Sequence, residues 1–140
     1  MSPWIIYALL SAAFAALVAI FGKIGIQNID STLATTIRAL VMAGFLIIVA
    51  LSLGKLPLLN TIHNKTLLFI VLSGVAGAMS WLFYFFALKH GPATGVAALD
   101  RLSVVFVLIF ALLFLGQKFT WGSALGAALI TIGAILMTLK

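Results

Sequence analysis

Apolar positions in this chain do not alternate with polar ones; they run on in long blocks. Five such blocks follow one another, at about residues 3–21, 31–53, 66–88, 93–115 and 121–139. Each is close to the ~20 residues that a helix needs to cross the hydrocarbon of a bilayer. The polar punctuation between them is brief: Gly22-Lys23, Gly54-Lys55 with Pro57, Lys89-His90-Gly91-Pro92, and Gly116-Gln117-Lys118. Ser2-Pro3 opens the first block as a cap followed by a first-turn proline, Asp30 or Ser31 caps the second, and Thr120 caps the fifth. The short connections predict antiparallel neighbours. No Lys or Arg precedes the first apolar block and further helices follow closely, so it reads as a span and not as a signal peptide.

Composition fixes the solvent. The 140 residues are 65% hydrophobic and 7% charged, with a mean hydropathy of +1.35. A soluble domain carries about a quarter of its residues as charges, and one this small has too much surface to hide so many apolar side chains. In lipid every backbone polar group must be paired internally, which leaves helices or closed barrels. Continuous apolar runs select helices. The expected fold is therefore all-α, a polytopic membrane protein of five transmembrane helices with the lipid bilayer as its first partner.

Several chemistries are set aside by what the chain lacks. It has no cysteine, so disulfides and thiolate metal sites are excluded. His63 and His90 fall in predicted loops, and no Walker loop, nucleophile elbow, helically spaced histidine pair or carboxylate pair occurs. No enzyme, metal or cofactor is predicted. The net charge of +6 is spread singly along the chain, where it caps helix ends beside lipid headgroups, so nucleic acid is not an expected partner. The Asn64-Lys65-Thr66 sequon lies too close to the membrane to be more than accidental.

An odd number of spans places the termini on opposite sides, here X for the amino-terminal side and Y for the other. Lys55, Lys65 and Lys118 lie near X; Lys23, Lys89 and Lys140 lie near Y, with Arg38 and Arg101 set deeper on that side. Orientation follows a Lys/Arg excess in cytoplasmic loops, and the loops here show none. Either a weak bias from the arginines decides, or the protein inserts both ways.

Lipid tails do not drive helices together, so small and polar residues mark the packing faces. Ala8, Ala12, Ala15, Ala19 and Gly22 form such a stripe on the first span, expected to pack within the chain. Gly122, Gly126 and Gly133 share a face of the fifth, interrupted by Leu129, and suit a contact within or between chains. On the third span Gly74, Gly77, Trp81 and Tyr84 share a face. The glycines would permit close helix approach; Trp81 is expected to have a partner for its N–H, and the two aromatics are either core packing or the wall of a cavity.

Ionisable residues inside spans are costly and mark functional sites by default. Arg38 and Asp100 each lie seven residues into their spans, roughly 10 Å below the Y surface at ~1.5 Å per residue. Equal depth makes an Arg38–Asp100 ion pair feasible. Arg101 points about 100° from Asp100. Thr35 shares the face of Arg38 and Ser103 that of Asp100. The pair is either a register-fixing contact, with Arg101 snorkelling to headgroups, or a gate or ligand contact. Asp100 is the sole carboxylate in a predicted span, but an arginine partner would oppose its protonation, so proton coupling is not indicated.

These residues, taken in order, resemble the EamA-type half-transporters of the drug/metabolite transporter superfamily over nearly the whole chain. The resemblance runs through Leu10-Ser11-Ala12, Phe21-Gly22-Lys23-Ile24-Gly25, Leu33-Ala34-Thr35-Thr36-Ile37-Arg38, and Trp81, Tyr84, Ala87, Leu88 and Gly91. It is strongest at Val96 to Val105, where Asp100-Arg101-Leu102-Ser103 resembles the family's D-K-L-S, and continues at Leu115-Gly116-Gln117. The chain departs from the family pattern at Gln117, where Glu is usual, at Arg101, where Lys is common, and at Ala98, where Pro is common.

The resemblance implies one half of a ten-span fold built from two inverted five-span halves around a central substrate cavity. It implies a secondary transporter of a small organic metabolite or drug-like solute, working by alternating access in the cytoplasmic (inner) membrane of a prokaryote. Two oppositely inserted copies would rebuild the inverted repeat, so the balanced loop charges support an antiparallel homodimer. In that assembly Arg38 and Asp100 are gate candidates and Trp81 and Tyr84 line the cavity. The rival expectation is a non-transporting accessory subunit, for instance of a lipid-carrier pathway; a heterodimer with a related chain is a third.

Overall fold

Apolar runs without internal breakers become helices, and the computed structural model, which describes residues 2–139, is all-helical among those residues. Lys140, counted above among the Y-side charges, lies outside them. The helices are α1 (Pro3–Gly25), α2 (Ser31–Ser52), α3 (Asn64–His90), α4 (Ala93–Asp100), α5 (Ser103–Phe114) and α6 (Trp121–Thr138). Five stretches are long and apolar enough to cross a membrane, α4 and α5 together making the fourth. Large apolar side chains point outward along all of them, among them Phe14, Phe45, Phe69 and Leu113. That arrangement is stable only where the surroundings are lipid.

Local chemistry explains the helix ends. Between the two candidate caps of α2 the structure chooses Asp30, whose carboxylate accepts from the backbone N–H of Thr32 at 2.9 Å and of Leu33 at 3.0 Å. These two bonds hold the Asp30 carboxyl below the usual carboxylate range, the Leu33 N–H contributing most. Ser31 is buried instead. Gly54, in the left-handed region at φ 63°, ends α2: its N–H donates to Leu51 and the Lys55 N–H to Ala50, the paired bonds of a Schellman motif. Thr120 caps α6 as expected, accepting from the Ser123 N–H at 3.2 Å.

Four details differ from the sequence expectation. Helix α1 continues past Gly22-Lys23 to Gly25, since one glycine does not stop a helix whose neighbours favour it. Helix α3 is longer at both ends, so that His90 is its last residue and not a loop residue. A 3₁₀ helix, Leu56–Thr61, occupies the α2–α3 connection behind the proline. Most consequential, the fourth span is interrupted at Arg101-Leu102, where N–H groups reach three residues back instead of four: Arg101 to Ala98 at 3.1 Å, Leu102 to Leu99 at 2.9 Å, Val104 to Arg101 at 3.1 Å and Val105 to Leu102 at 2.9 Å.

The chain divides into two compact units. One comprises α1 up to Lys23 and everything from His90 onward; the other runs from Ile24 to Lys89 and holds α2 and α3. In the first, α6 packs antiparallel against α4 and α5, with Ala98, Ala111, Ala127 and Ala134 buried. The start of α4 meets the end of α6 at Gly95, where an added Cβ would lie 3.7 Å from the Thr138 methyl and 3.9 Å from the Met137 carbonyl. Lys23 Nζ donates to the Gly91 carbonyl at 2.8 Å, tying the end of α1 to the turn before α4. In the second unit, Lys89 Nζ donates to the Ile29 carbonyl at 3.0 Å, so α2 and α3 run antiparallel. Its buried residues, Ile26, Ser31, Thr35, Phe85 and Leu88, gather at that same end.

Candidate substrate site

Trp81, Tyr84 and Phe85 stand at i, i+3 and i+4 on α3, so the helix repeat alone brings their rings onto one face. Trp81 meets Tyr84 edge-on at 5.3 Å between ring centroids and Phe85 at 6.3 Å. On this cluster rests Arg38 of α2. Its guanidinium carbon lies 3.6 Å from the centroid of Trp81 and 5.7 Å from that of Phe85. A cation over an indole face is worth about 0.5–2 kcal/mol, rising as water is withdrawn. The stack therefore steadies a charge held well inside the span, where it would otherwise be costly.

Beside this stack a cavity of about 570 Å³ opens between α2 and α3. Arg38 and Trp81 stand in its wall with Thr35, Met42, Gly74 and Gly77. The volume lies in the range of small-molecule sites, and the lining is mostly apolar with few polar groups, as such sites are. The Thr35 hydroxyl donates to the Ser31 carbonyl at 2.8 Å, and that of Thr36, also in the wall, to Thr32 at 2.9 Å. Both threonines thus turn only lone pairs outward.

Within the chain, the glycines of the third and fifth spans make no close approach. An added Cβ at Gly74 or Gly77 would meet nothing within 4 Å, and both residues line the cavity. They leave that part of the cavity open. Gly122, Gly126 and Gly133 likewise touch nothing that a Cβ would meet. The close packing of α6 is made on the alanine face, and at Gly95 of α4, which the sequence reading did not single out.

Trp81 also departs from expectation. Its ring contacts are made, but its indole N–H finds no hydrogen-bond acceptor within its unit among the described residues; the ring itself serves as the platform for Arg38. Tyr84 is half-buried in the same cluster. Phe85, buried and the third member of that cluster, was legible four residues after Trp81 but hidden in a run of aromatics.

The remaining candidates belong to the other unit. Asp100 is the last residue of α4, Arg101 and Leu102 form the interruption, and Ser103 begins α5; all three polar residues are exposed. The interruption, invisible in the apolar pattern, coincides with the charged pair. Arg38 and Asp100 thus fall in different units.

A five-span, all-helical chain with an intramembrane cavity lined by one cation and one indole defines a membrane protein of the solute-carrying class. The chain belongs to the EamA-like transporter family, whose model matches residues 2–139. It is 47% identical over 134 residues, 96% of this chain and 95% of the relative, to an uncharacterized transporter in the cobO 3′ region of a Sinorhizobium species. A shorter match, 37% identical over 49 residues, joins 35% of this chain to 17% of a pseudopaline exporter of Pseudomonas aeruginosa. No solved structure matches.

Proposed function

We propose that this protein carries a small organic solute across the cytoplasmic membrane of a bacterium by alternating access, as an antiparallel homodimer. The observation that carries the reading is the cavity between α2 and α3, large enough for a small metabolite and set in the wall of membrane-spanning helices of a transporter family. The bacterial relatives support the choice of membrane. The even distribution of loop charges supports two orientations.

Arg38 and Asp100 lie at similar depth from the same ends of their spans, and a gate formed by the two is part of this proposal. The tightened turn at Arg101-Leu102 supports it, because a 3₁₀ stretch inside a helix is a common hinge. Closing would bring the carboxylate to the guanidinium; opening would leave Arg38 on Trp81. Two copies in opposite orientation would place one such gate in each leaflet, with the cavity between.

Reconstitution tests the proposal. Flux of solute into liposomes containing the purified chain alone is the expected result, and Asp100→Asn should slow it while leaving expression and melting temperature near wild type. A strict requirement for a second protein would replace the carrier with an accessory subunit. Terminal tags probed from both sides of the membrane should be found in both orientations; a single orientation in every copy removes the antiparallel dimer.

A further inference from the structure

The guanidinium carbon of Arg38 lies 3.6 Å from the Trp81 ring centroid, a contact that uses none of the guanidinium N–H groups as hydrogen-bond donors to an oxygen. The guanidinium edge carries five N–H donors in a planar fork. Within the α2–α3 unit, none of them forms a hydrogen bond to a described residue, and Tyr84 of the same cluster is the polar side chain that acts electrostatically on Arg38. The donors are not sealed in: among the described residues, the buried side-chain nitrogen or oxygen atom without a partner is Ser31 Oγ, not a nitrogen of Arg38 or Trp81. Both residues stand in the wall of the 570 Å³ cavity, so their open N–H groups are reachable by what enters it.

A guanidinium anchored against a ring, with no hydrogen bond to its fork inside its own unit, is placed to take a carboxylate or phosphate, which a guanidinium meets with two parallel charge-assisted hydrogen bonds. The rest of the wall disfavours a second charge on the ligand. Beyond the threonines it is apolar, through Ala39, Met42, Ala78 and Leu82. The Thr35 and Thr36 hydroxyls have spent their protons on the helix backbone and Thr32 has its side chain on the Asp30 carboxylate, so the threonines turn lone pairs toward the space, which repel a second anion. The open positions above Gly74 and Gly77 leave room for a body of several carbon atoms.

We infer that the solute class of this cavity is an organic monoanion: one oxyanion group, seated on the edge of Arg38, joined to an apolar body lying over Gly74 and Gly77. This inference rests on the carrier reading above and narrows it. The seated oxyanion could belong to a free solute or to the phosphate of a lipid, and the chemistry at Arg38 is common to both.

The test reads Trp81 directly. Trp4 and Trp121 are 69% and 84% exposed, so replacing both with Phe leaves Trp81 as the single indole without disturbing buried structure. The protein, in phosphatidylcholine nanodiscs, is titrated with hexanoate and with the isosteric hexanamide while indole emission is followed. A saturable change with hexanoate, about tenfold or more weaker with hexanamide, is expected from the loss of a charge-assisted pair. Arg38→Gln should weaken hexanoate binding by a similar factor and Arg38→Lys by less, since Lys keeps the charge but not the fork. Gly77→Leu, which fills cavity space from a position where an added Cβ meets nothing within 4 Å and leaves Arg38 in the sequence, should also weaken it and guards against a folding defect in the Arg38 variants. Equal binding of acid and amide, or unchanged binding in Arg38→Gln and Gly77→Leu, overturns the inference. So does an emission change that follows phosphatidylglycerol content while hexanoate does nothing, which would assign the oxyanion to lipid. Binding without flux would sink the carrier reading and keep this site; flux of neutral solutes without hexanoate binding would do the reverse.

Discussion

The two helix pairs of this protein use glycine in opposite ways. Where α4 meets α6, Gly95 is buried and a Cβ there would touch a side chain and a carbonyl of the end of α6. Where α2 faces α3, Gly74 and Gly77 look into open space and the helices are joined through long side chains: Arg38 on Trp81, and Lys89 on the Ile29 carbonyl. One pair is close-packed on alanine and glycine, as membrane helices commonly are. The other is bridged by a cation on a ring and has a cavity beside it. A glycine in a membrane helix is therefore a contact or a vacancy according to what its neighbour brings, and its own spacing does not say which.

The largest effect should come from putting the same side chain into both places. Gly95→Leu overpacks the α4–α6 contact, a change that costs about 1–3 kcal/mol in a packed interior, and should lower the melting temperature in detergent. At Gly77 an added Cβ meets nothing within 4 Å, so Gly77→Leu should leave the melting temperature nearly unchanged while weakening solute binding. If both variants melt alike, the contrast between the two pairs is wrong.

Trp81→Leu comes next. It removes the platform under Arg38 and should destabilise the protein by about 1–2 kcal/mol, the value of a partly desolvated cation–ring contact. A combined Arg38→Gln/Trp81→Leu variant should be destabilised by less than the sum of the single changes, measured as a double-mutant cycle by thermal melting.

Gly126→Ala should be smaller still within one chain. Nothing stands within 4 Å of the added methyl, and alanine is the better helix former. An unchanged monomer melting temperature with reduced cysteine-engineered cross-linking between copies would identify this face with the dimer contact.

The smallest effect concerns Asp30. Its carboxyl is held below its ordinary pKa by the N–H groups of Leu33 and Thr32, with Lys89 nearby. The stabilisation from the charged cap is complete above the unfolded carboxylate value near 3.8 and fades as pH falls through the lower folded value. Because Asp30 is exposed, the change should be slight. Asp30→Asn should flatten the decline in melting temperature between about pH 5 and pH 2, since an amide caps without titrating.

How far the sequence reaches can be traced residue by residue. The spans, the Thr120 cap and the stop at Gly54 follow from apolar run length and from the backbone groups that helix ends leave unpaired, which are local properties. Trp81 and Arg38 announced themselves by being a large amphipathic ring and a charge where neither is cheap. Phe85 was readable by the helix repeat but indistinguishable from the lipid-facing rings around it. The interruption at Arg101-Leu102 carries no proline or glycine to mark it. That Gly95 is packed and Gly74 is not depends on a second helix, which no window along one chain contains.

What the sequence determined alone is the solvent and the thread: an oily chain with rare charges must enter lipid as helices, because backbone polar groups have no other partners there. What the tertiary structure decided is where space remains. Spacing on one helix sets which residues share a face, but a cavity is the difference between two faces, and only their packing fixes its size and which donors are left open within it.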